Sequence, residues 1–240
     1  MQNKLKQAMI FAAGIGSRLS PITNTIPKAL LPINGVPLLE QLILKLQKEG
    51  IERIVINVHH FAQQIIDFLN AKNNFSLDIL ISDETNKLWD TGGGLIKAKQ
   101  LFYQNEPILL YNVDILSSIN IDAMYKFHCK MSPIATLAVR DRHTSRYLEF
   151  DANLNLIGRF KSNQTFGVGE ALLHKNPNIL AFSGIHILNP DIFDLINETG
   201  AFSIVDLYIR ICKEFQITGY LHNADSWMDC GNYDKIKSML

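Results

Sequence analysis

Gln7-Ala8-Met9-Ile10-Phe11-Ala12-Ala13-Gly14-Ile15-Gly16-Ser17-Arg18-Leu19 carries an apolar run into a glycine loop that ends on a cation. The run has no polar alternation, so it reads as a strand buried on both faces, as in a parallel sheet covered by helices. Small residues in the loop let backbone N–H groups approach anionic oxygens, and Arg18 adds a planar cation for the same charge. Leu19 stands where the dinucleotide fingerprint needs its third glycine, and P-loop spacing is absent too. Taken alone, the two glycines read first as a structural turn.

Outward from that loop, strand and helix alternate. Leu38, Leu39, Leu42, Ile43 and Leu46 form a helical stripe over 38–49, stopped by Gly50. Strands are predicted over 7–13, 53–58, 77–81 and 107–113, and helices over 61–69 and 94–102, the second starting behind Gly92-Gly93-Gly94. Beyond Asp122 the pattern turns more antiparallel. Strands are predicted over 134–139, 147–150, 156–160, 185–188 and 217–222, with helices over 203–215 and 233–239. This alternation predicts an α/β fold with a doubly wound, mostly parallel sheet, whose ligands bind beyond the carboxyl ends of the strands. Gly14, Asp83 and Asp114 fall at such ends.

Composition narrows the function classes. The 240 residues, 47% apolar, suffice for one enzyme-sized domain over 1–240. Lys plus Arg and Asp plus Glu are 23 each, so no global field draws nucleic acid or an anionic membrane, although a local basic pocket remains open. Cys129, Cys212 and Cys230 lie far apart, which argues against a disulfide framework or a cysteine zinc site and fits a reducing cytoplasm. The N-terminal apolar stretch is too short for a signal peptide or a membrane span. His59 and His60 lack zinc spacing and read as structural or pocket-lining.

Residues 12–23 (AAGIGSRLSPIT), followed by 27–33 (PKALLPI), closely resemble the signature of the sugar-1-phosphate nucleotidylyltransferases. That signature runs roughly L-A-A-G-x-G-[ST]-R-x-x-P-x-T, a spacer, then P-K-x-L-x-P-[VI]. The resemblance extends from Ala12 through Gly231 and implies a three-layer α/β/α, Rossmann-like fold with a mostly parallel mixed sheet. It also implies transfer of a nucleoside monophosphate from an NTP to a sugar 1-phosphate. A nucleotide-binding half over about 1–120 and a sugar-binding half over about 121–240 fill the length, leaving no room for a C-terminal β-helix. By the same resemblance, Ala12, Ala13, Gly14, Gly16 and Ser17 hold the nucleotide, Arg18 meets the triphosphate and Lys28 contacts the reacting phosphates.

Asp114 directly follows a buried strand, where a hard oxygen ligand suits Mg²⁺ and where an aspartate serves equally as a turn or helix cap. The resemblance favours metal, and it makes Asp229, in Trp227-Met228-Asp229-Cys230-Gly231-Asn232, the second ligand. Relatives carry Gly where this chain has Val113, which narrows the space expected beside the metal. Asn112 is a candidate contact to nucleotide or sugar. Trp227 reads as core before it reads as a stacking platform.

Glu84, Thr91 and Gly92 belong to the loop that in this family approaches the base. Asp90-Thr91-Gly92-Gly93-Gly94 resembles the E-T-G-G-G of N-acetylmuramate 1-phosphate uridylyltransferases, while Glu84 would suit the donor edge of guanine. Arg146, Glu149, Lys161, Ser183 and Gly184 are expected at the sugar. Arg146 replaces a common family Gly and would suit an acidic lactyl substituent, although Arg142 and Arg146 also read as a solvated face. The expectation is UTP with an N-acetylmuramate-like sugar 1-phosphate. GTP with mannose or heptose 1-phosphate, CTP with phosphocholine, and a nucleotide-sensing protein are the alternatives. The oligomeric state is not readable.

Overall fold

The computed structural model describes residues 4–160 and 178–239. Along the chain lie β1 (Gln7–Phe11), β2 (Pro32–Ile33), β3 (Val36–Pro37), α1 (Leu38–Lys48), β4 (Arg53–Val58), α2 (Ala62–Ala71), β5 (Asp78–Asp83) and α3 (Asp90–Ala98). Then come β6 (Ile108–Asn112), β7 (Ile115–Ser117), α4 (Ile121–Met131), β8 (Ala135–Arg140), β9 (Tyr147–Phe150) and β10 (Leu156–Arg159). The remainder is β11 (Ile179–Leu188), α5 (Ile204–Ile211), β12 (Ile217–Leu221), β13 (Trp227–Asp229) and α6 (Tyr233–Ile236).

The main sheet runs β12-β8-β11-β6-β1-β4-β5, and the β9–β10 hairpin branches from the front of β11. Pairs β6–β1, β1–β4, β4–β5 and β8–β12 are parallel, while β11 runs antiparallel to β6, β8 and β9. The sheet is therefore mixed and mostly parallel in its first half, as the alternation predicts. The chain leaves β1 toward β4 and β5, then returns to β6 on the other side of β1. That reversal opens the crevice where ligands of doubly wound sheets bind.

Helices cover both faces, giving three layers. Leu39, Leu42, Ile43 and Leu46 of α1 pack with Ile65 of α2 and Met124 of α4 on one side. Leu95 of α3 and Leu207, Tyr208 and Ile211 of α5 pack on the other. The α1 stripe lies where the sequence spacing put it, and Gly50, at φ +89°, ends that segment in a conformation glycine adopts without strain. Among the described residues no helix is long and apolar enough to cross a membrane.

Among the elements that depart from the sequence reading are α3, α4 and β11. Helix α3 starts at Asp90, so the triple glycine lies inside its first turns instead of ahead of it. Close packing explains this: a Cβ on Gly92 would lie 2.1 Å from the Phe202 ring, and one on Gly93 would lie 2.5 Å from the Gly200 carbonyl. Helix α4 is absent from the sequence reading although Ile121, Met124, Tyr125 and His128 keep helical spacing; a second signal is the Asn120 side chain, which accepts from Ala123 N at 2.8 Å. Strand β11 begins six residues before the predicted 185–188 segment, and Gly184, at φ +76°, lies within it.

Candidate active site

Two short strands that the sequence reading missed assemble the centre of the site. β7 and β13 pair antiparallel with Asp229 opposite Ile115, and Cys230 N donates to the Asp114 carbonyl at 2.8 Å. This pairing brings the aspartates, 115 positions apart by their numbers 114 and 229, to one spot. Gly231 forms its floor: a Cβ there would lie 2.8 Å from Asp229 Oδ1, 3.1 Å from Asp114 Oδ2 and 2.8 Å from Arg18 Nη2. Two carboxylates bordering a space that only glycine leaves open are a hard-oxygen donor set suited to Mg²⁺. Gly231 N also donates to Asp229 Oδ1 at 2.7 Å, fixing that carboxylate.

The glycine loop supplies the cations. Lys28 Nζ is hydrogen-bonded and ion-paired to Asp114 Oδ2, with both side chains largely covered. Gly16, at φ +72°, sits close to Lys28, since a Cβ would lie 3.2 Å from Lys28 Cβ. The Gly16 carbonyl accepts from buried Thr23 at 2.9 Å, which ties the two halves of the signature together. Gly14, Ser17 and Arg18 are exposed, so the loop's open face begins at Gly14.

Behind the loop lies a buried network centred on Asn57, a residue the sequence reading did not single out. Asn57 Oδ1 accepts from Ala12 N at 2.7 Å and Ala13 N at 3.3 Å, and Asn57 Nδ2 donates to Glu84 Oε1 at 2.8 Å. Glu84 Oε2 accepts from Trp89 N at 3.2 Å, and Glu84 is 1% exposed. Burial pushes its carboxyl pKa up, while the bonds from Asn57 and Trp89 pull it back. The Ala12 and Ala13 amides thus donate to Asn57, and the Glu84 carboxylate is bonded inside the protein. Gly92, also expected at the base, donates its amide to the Phe202 carbonyl at 2.9 Å under the Phe202 ring.

Beyond the aspartates opens a cavity of about 900 Å³. Arg18, Thr91, Asn112, Asp114, Arg146, Ser183, Gly184 and Asp229 of the expected residues line it. The Thr91 hydroxyl accepts from Ile204 N at 3.0 Å, pinning the start of α3 to that of α5. Gly184 lets Asn112 approach, since a Cβ would lie 2.8 Å from Asn112 Nδ2. Ser183 is 1% exposed and its hydroxyl bonds His222 Nε2 at 2.7 Å, so its side chain is committed within the protein. Glu149 sits half-buried on β9 and is not among the lining residues. Lys161 lies outside the described residues. Val113 packs in the core with Ala12, Ala29 and Ile185 and leaves the cavity wall unobstructed.

Arg142 and Trp227 are the features the sequence reading undervalued. The Arg142 guanidinium lies 4.3 Å from the centre of the Trp227 ring, and Arg142 Nη2 donates to the Phe182 carbonyl at 2.9 Å. Trp227 Nε1 donates to the Ser183 carbonyl at 3.0 Å, which fixes the ring. Burial lowers the Arg142 pKa from its ordinary value, and Asp229 opposes that shift. Arg146, by contrast, is exposed at the rim.

Comparison with known proteins places the chain in a family. The family model described as Nucleotidyl transferase matches residues 7–239. The N-acetylmuramate alpha-1-phosphate uridylyltransferase of Neisseria meningitidis is 29% identical, over 96% of this chain and 95% of that protein. A mannose-1-phosphate guanyltransferase 2 of Candida glabrata is 26% identical, over 94% of this chain and 61% of that protein. Among solved structures, a UDP-glucose pyrophosphorylase complexed with UDP-glucose superposes with a TM-score of 0.78 at 22% identity, covering 98% of this chain and 97% of that one; this likeness concerns the fold. With its signature loop, paired aspartates and a family match spanning nearly its whole length, the chain belongs to the nucleotidyl transferase family, whose members here are sugar-1-phosphate nucleotidyltransferases.

Proposed function

We propose that the protein transfers a uridylyl group from UTP to an N-acetylmuramate-like sugar 1-phosphate, releasing pyrophosphate. The observation that carries the reaction class is the convergence of Arg18 and Lys28 on Asp114 and Asp229 beside a cavity of about 900 Å³. A phosphate oxygen of the acceptor attacks the α-phosphorus. As the new P–O bond forms, the bond to the bridging oxygen of the β-phosphate breaks, and pyrophosphate leaves with that electron pair. The acceptor phosphate is ionised near neutral pH, its second pKa being about 6, so no general base is needed.

The difficulty is charge, because two unit charges 5 Å apart repel by roughly 3 kcal/mol at an effective dielectric of about 20. Arg18 and Lys28 offset it along the triphosphate, and their fixed positions cost no reorganisation as the charge shifts. Asp114 and Asp229 would hold Mg²⁺, which supplies Lewis-acid stabilisation of phosphate oxygens when bound. The backbone from Gly14 to Arg18 orients the phosphates, and Asn57 keeps that loop in register with the loop after β5.

Uridine is favoured by two features. The chain resembles two uridylyltransferases over nearly the full length of both partners, those of Neisseria meningitidis and Caulobacter vibrioides. The carboxylate that best suited guanine, Glu84, is buried and fully bonded. Arg146, an exposed cation at the rim, suits a carboxylate on the sugar. The test is pyrophosphate release with Mg²⁺, each NTP, and a panel of sugar 1-phosphates plus phosphocholine. UTP with N-acetylmuramate 1-phosphate is expected to give the highest kcat/KM. A higher value for GTP with mannose or heptose 1-phosphate contradicts the substrate assignment, and tight nucleotide binding without any turnover points to a sensor.

A further inference from the structure

Four arginines border the cavity, and their surroundings differ. Arg18 sits at the Gly231 end beside the two aspartates. Arg159 is neutralised by Asp206, Nη2 to Oδ1 at 2.6 Å. Arg146 is exposed. Arg142 alone combines a fixed guanidinium, partial burial and no carboxylate partner among the described residues.

Its constraints are unusual for a charged side chain. Trp227 supports the guanidinium face at 4.3 Å, and Trp227 leads within two residues to Asp229 along β13. The Phe182 carbonyl takes one N–H at 2.9 Å and the His143 carbonyl another at 3.3 Å. Nε is buried and has no partner. A guanidinium carries five N–H groups in a rigid fork, so three remain beyond these two backbone bonds. Behind the ring, Ser183 and His222 hold the strand that binds Trp227, through contacts of 2.7 and 3.0 Å. Placing a guanidinium in partial burial with spare donors is costly unless an anion comes to it.

We infer that Arg142 receives the attacking phosphate of the sugar 1-phosphate, with Trp227 as the platform that holds its guanidinium flat for that phosphate. Arg142 rests on the ring that lies two residues before Asp229 on β13 and lines the same cavity as Asp114 and Asp229, so a phosphate on Arg142 shares that cavity with the aspartate pair, where the α-phosphorus must lie. Arg18 and Lys28 then serve the triphosphate while Arg142 serves the nucleophile, and the two anions meet between cations of separate duty. The inference rests on the nucleotidyltransferase reading but not on which base or sugar is used.

The test is steady-state kinetics on Arg142→Gln, Arg142→Lys and Trp227→Leu, with whichever NTP and sugar 1-phosphate the wild type turns over best. Arg142→Gln is expected to raise the KM for the sugar 1-phosphate at least tenfold and lower kcat, with the KM for NTP changed less than twofold. Added guanidinium ion at millimolar concentration should restore part of the lost rate. Arg142→Lys should retain more acceptor affinity than Arg142→Gln, and Trp227→Leu should weaken acceptor binding alone, to a smaller degree. The same penalty should appear with neutral and carboxylate-bearing sugar 1-phosphates. An unchanged acceptor KM, a defect confined to NTP, or a penalty seen only with carboxylate-bearing sugars would overturn the inference. A wild type inactive with every pair would instead remove the reading on which it rests, so the two failures are distinct. Thermal midpoints of the variants separate lost binding from lost folding, and Arg142→Lys keeps the charge should Arg142→Gln fail to fold.

Discussion

At the residue scale, the site divides into groups that face the cavity and groups that hold them. Asp114 faces it with Lys28 paired to its carboxylate, and Lys28→Ala should lower kcat by roughly 10²–10³-fold through loss of charge stabilisation, measured as pyrophosphate release at saturating substrate. Asn57 faces nothing but protein, and its removal should act differently. Asn57→Ala leaves Ala12 N, Ala13 N and the Glu84 carboxylate without a shared partner in a buried place. The expected cost is about 1–3 kcal/mol of stability, read from denaturant midpoints, together with a raised KM for NTP. A change in neither would show that the network does not set the loop. Cys230 is a third case: burial first, then Asp114 and Asp229, push its thiol up to about 11. Exposed Cys129 should therefore react with a thiol reagent at pH 8 well before Cys230 does.

Elements explain why some of this was legible in the sequence and some was not. The first strand, the glycine loop and Lys28 read directly because they are contiguous, and the apolar run and the loop chemistry point the same way. Asp114 read well for a related reason, as a carboxylate at a strand end. The β7–β13 pair did not, because its strands are three residues long and lie more than a hundred positions apart; only the resemblance linked Asp229 to Asp114. For Glu84 the position is legible and the side-chain direction is not. Sequence places it after β5 at the correct end of the sheet, but the direction of its side chain is decided by Asn57 on the neighbouring strand. Arg142 was undervalued because a charged loop residue is usually solvated, and its ring partner is distant in sequence. The glycines of α3, expected ahead of the helix, lie inside it as a contact surface. Gly92→Ala forces a Cβ against Phe202, and overpacking of this kind should cost about 1–3 kcal/mol, visible as a lowered thermal midpoint.

For the whole molecule, equal numbers of acidic and basic residues conceal an uneven distribution, with four arginines bordering one cavity. The buried histidines add a dependence that the zero net charge does not reveal. Burial lowers His128 to about 4, His186 to about 3 and His222 to about 4, all below the ordinary 6.5. Unfolded chains bind these protons first, so stability is full above about pH 6.5 and falls as pH drops toward 4, by on the order of 1 kcal/mol per pH unit in total. Urea midpoints between pH 7 and 4.5 should follow this slope, and His128→Asn should flatten it. A midpoint constant across that range would contradict the burial of these side chains as neutral rings.

The central claim about the molecule is that the carboxylates joined by the β7–β13 pair and the cations facing them perform nucleotidyl transfer. Pyrophosphate release by Asp114→Ala, compared with wild type at saturating NTP, sugar 1-phosphate and Mg²⁺, tests it most directly. The predicted result is a loss of at least about a hundredfold in kcat with the thermal midpoint retained. A variant that folds and turns over at a near-normal rate would contradict it.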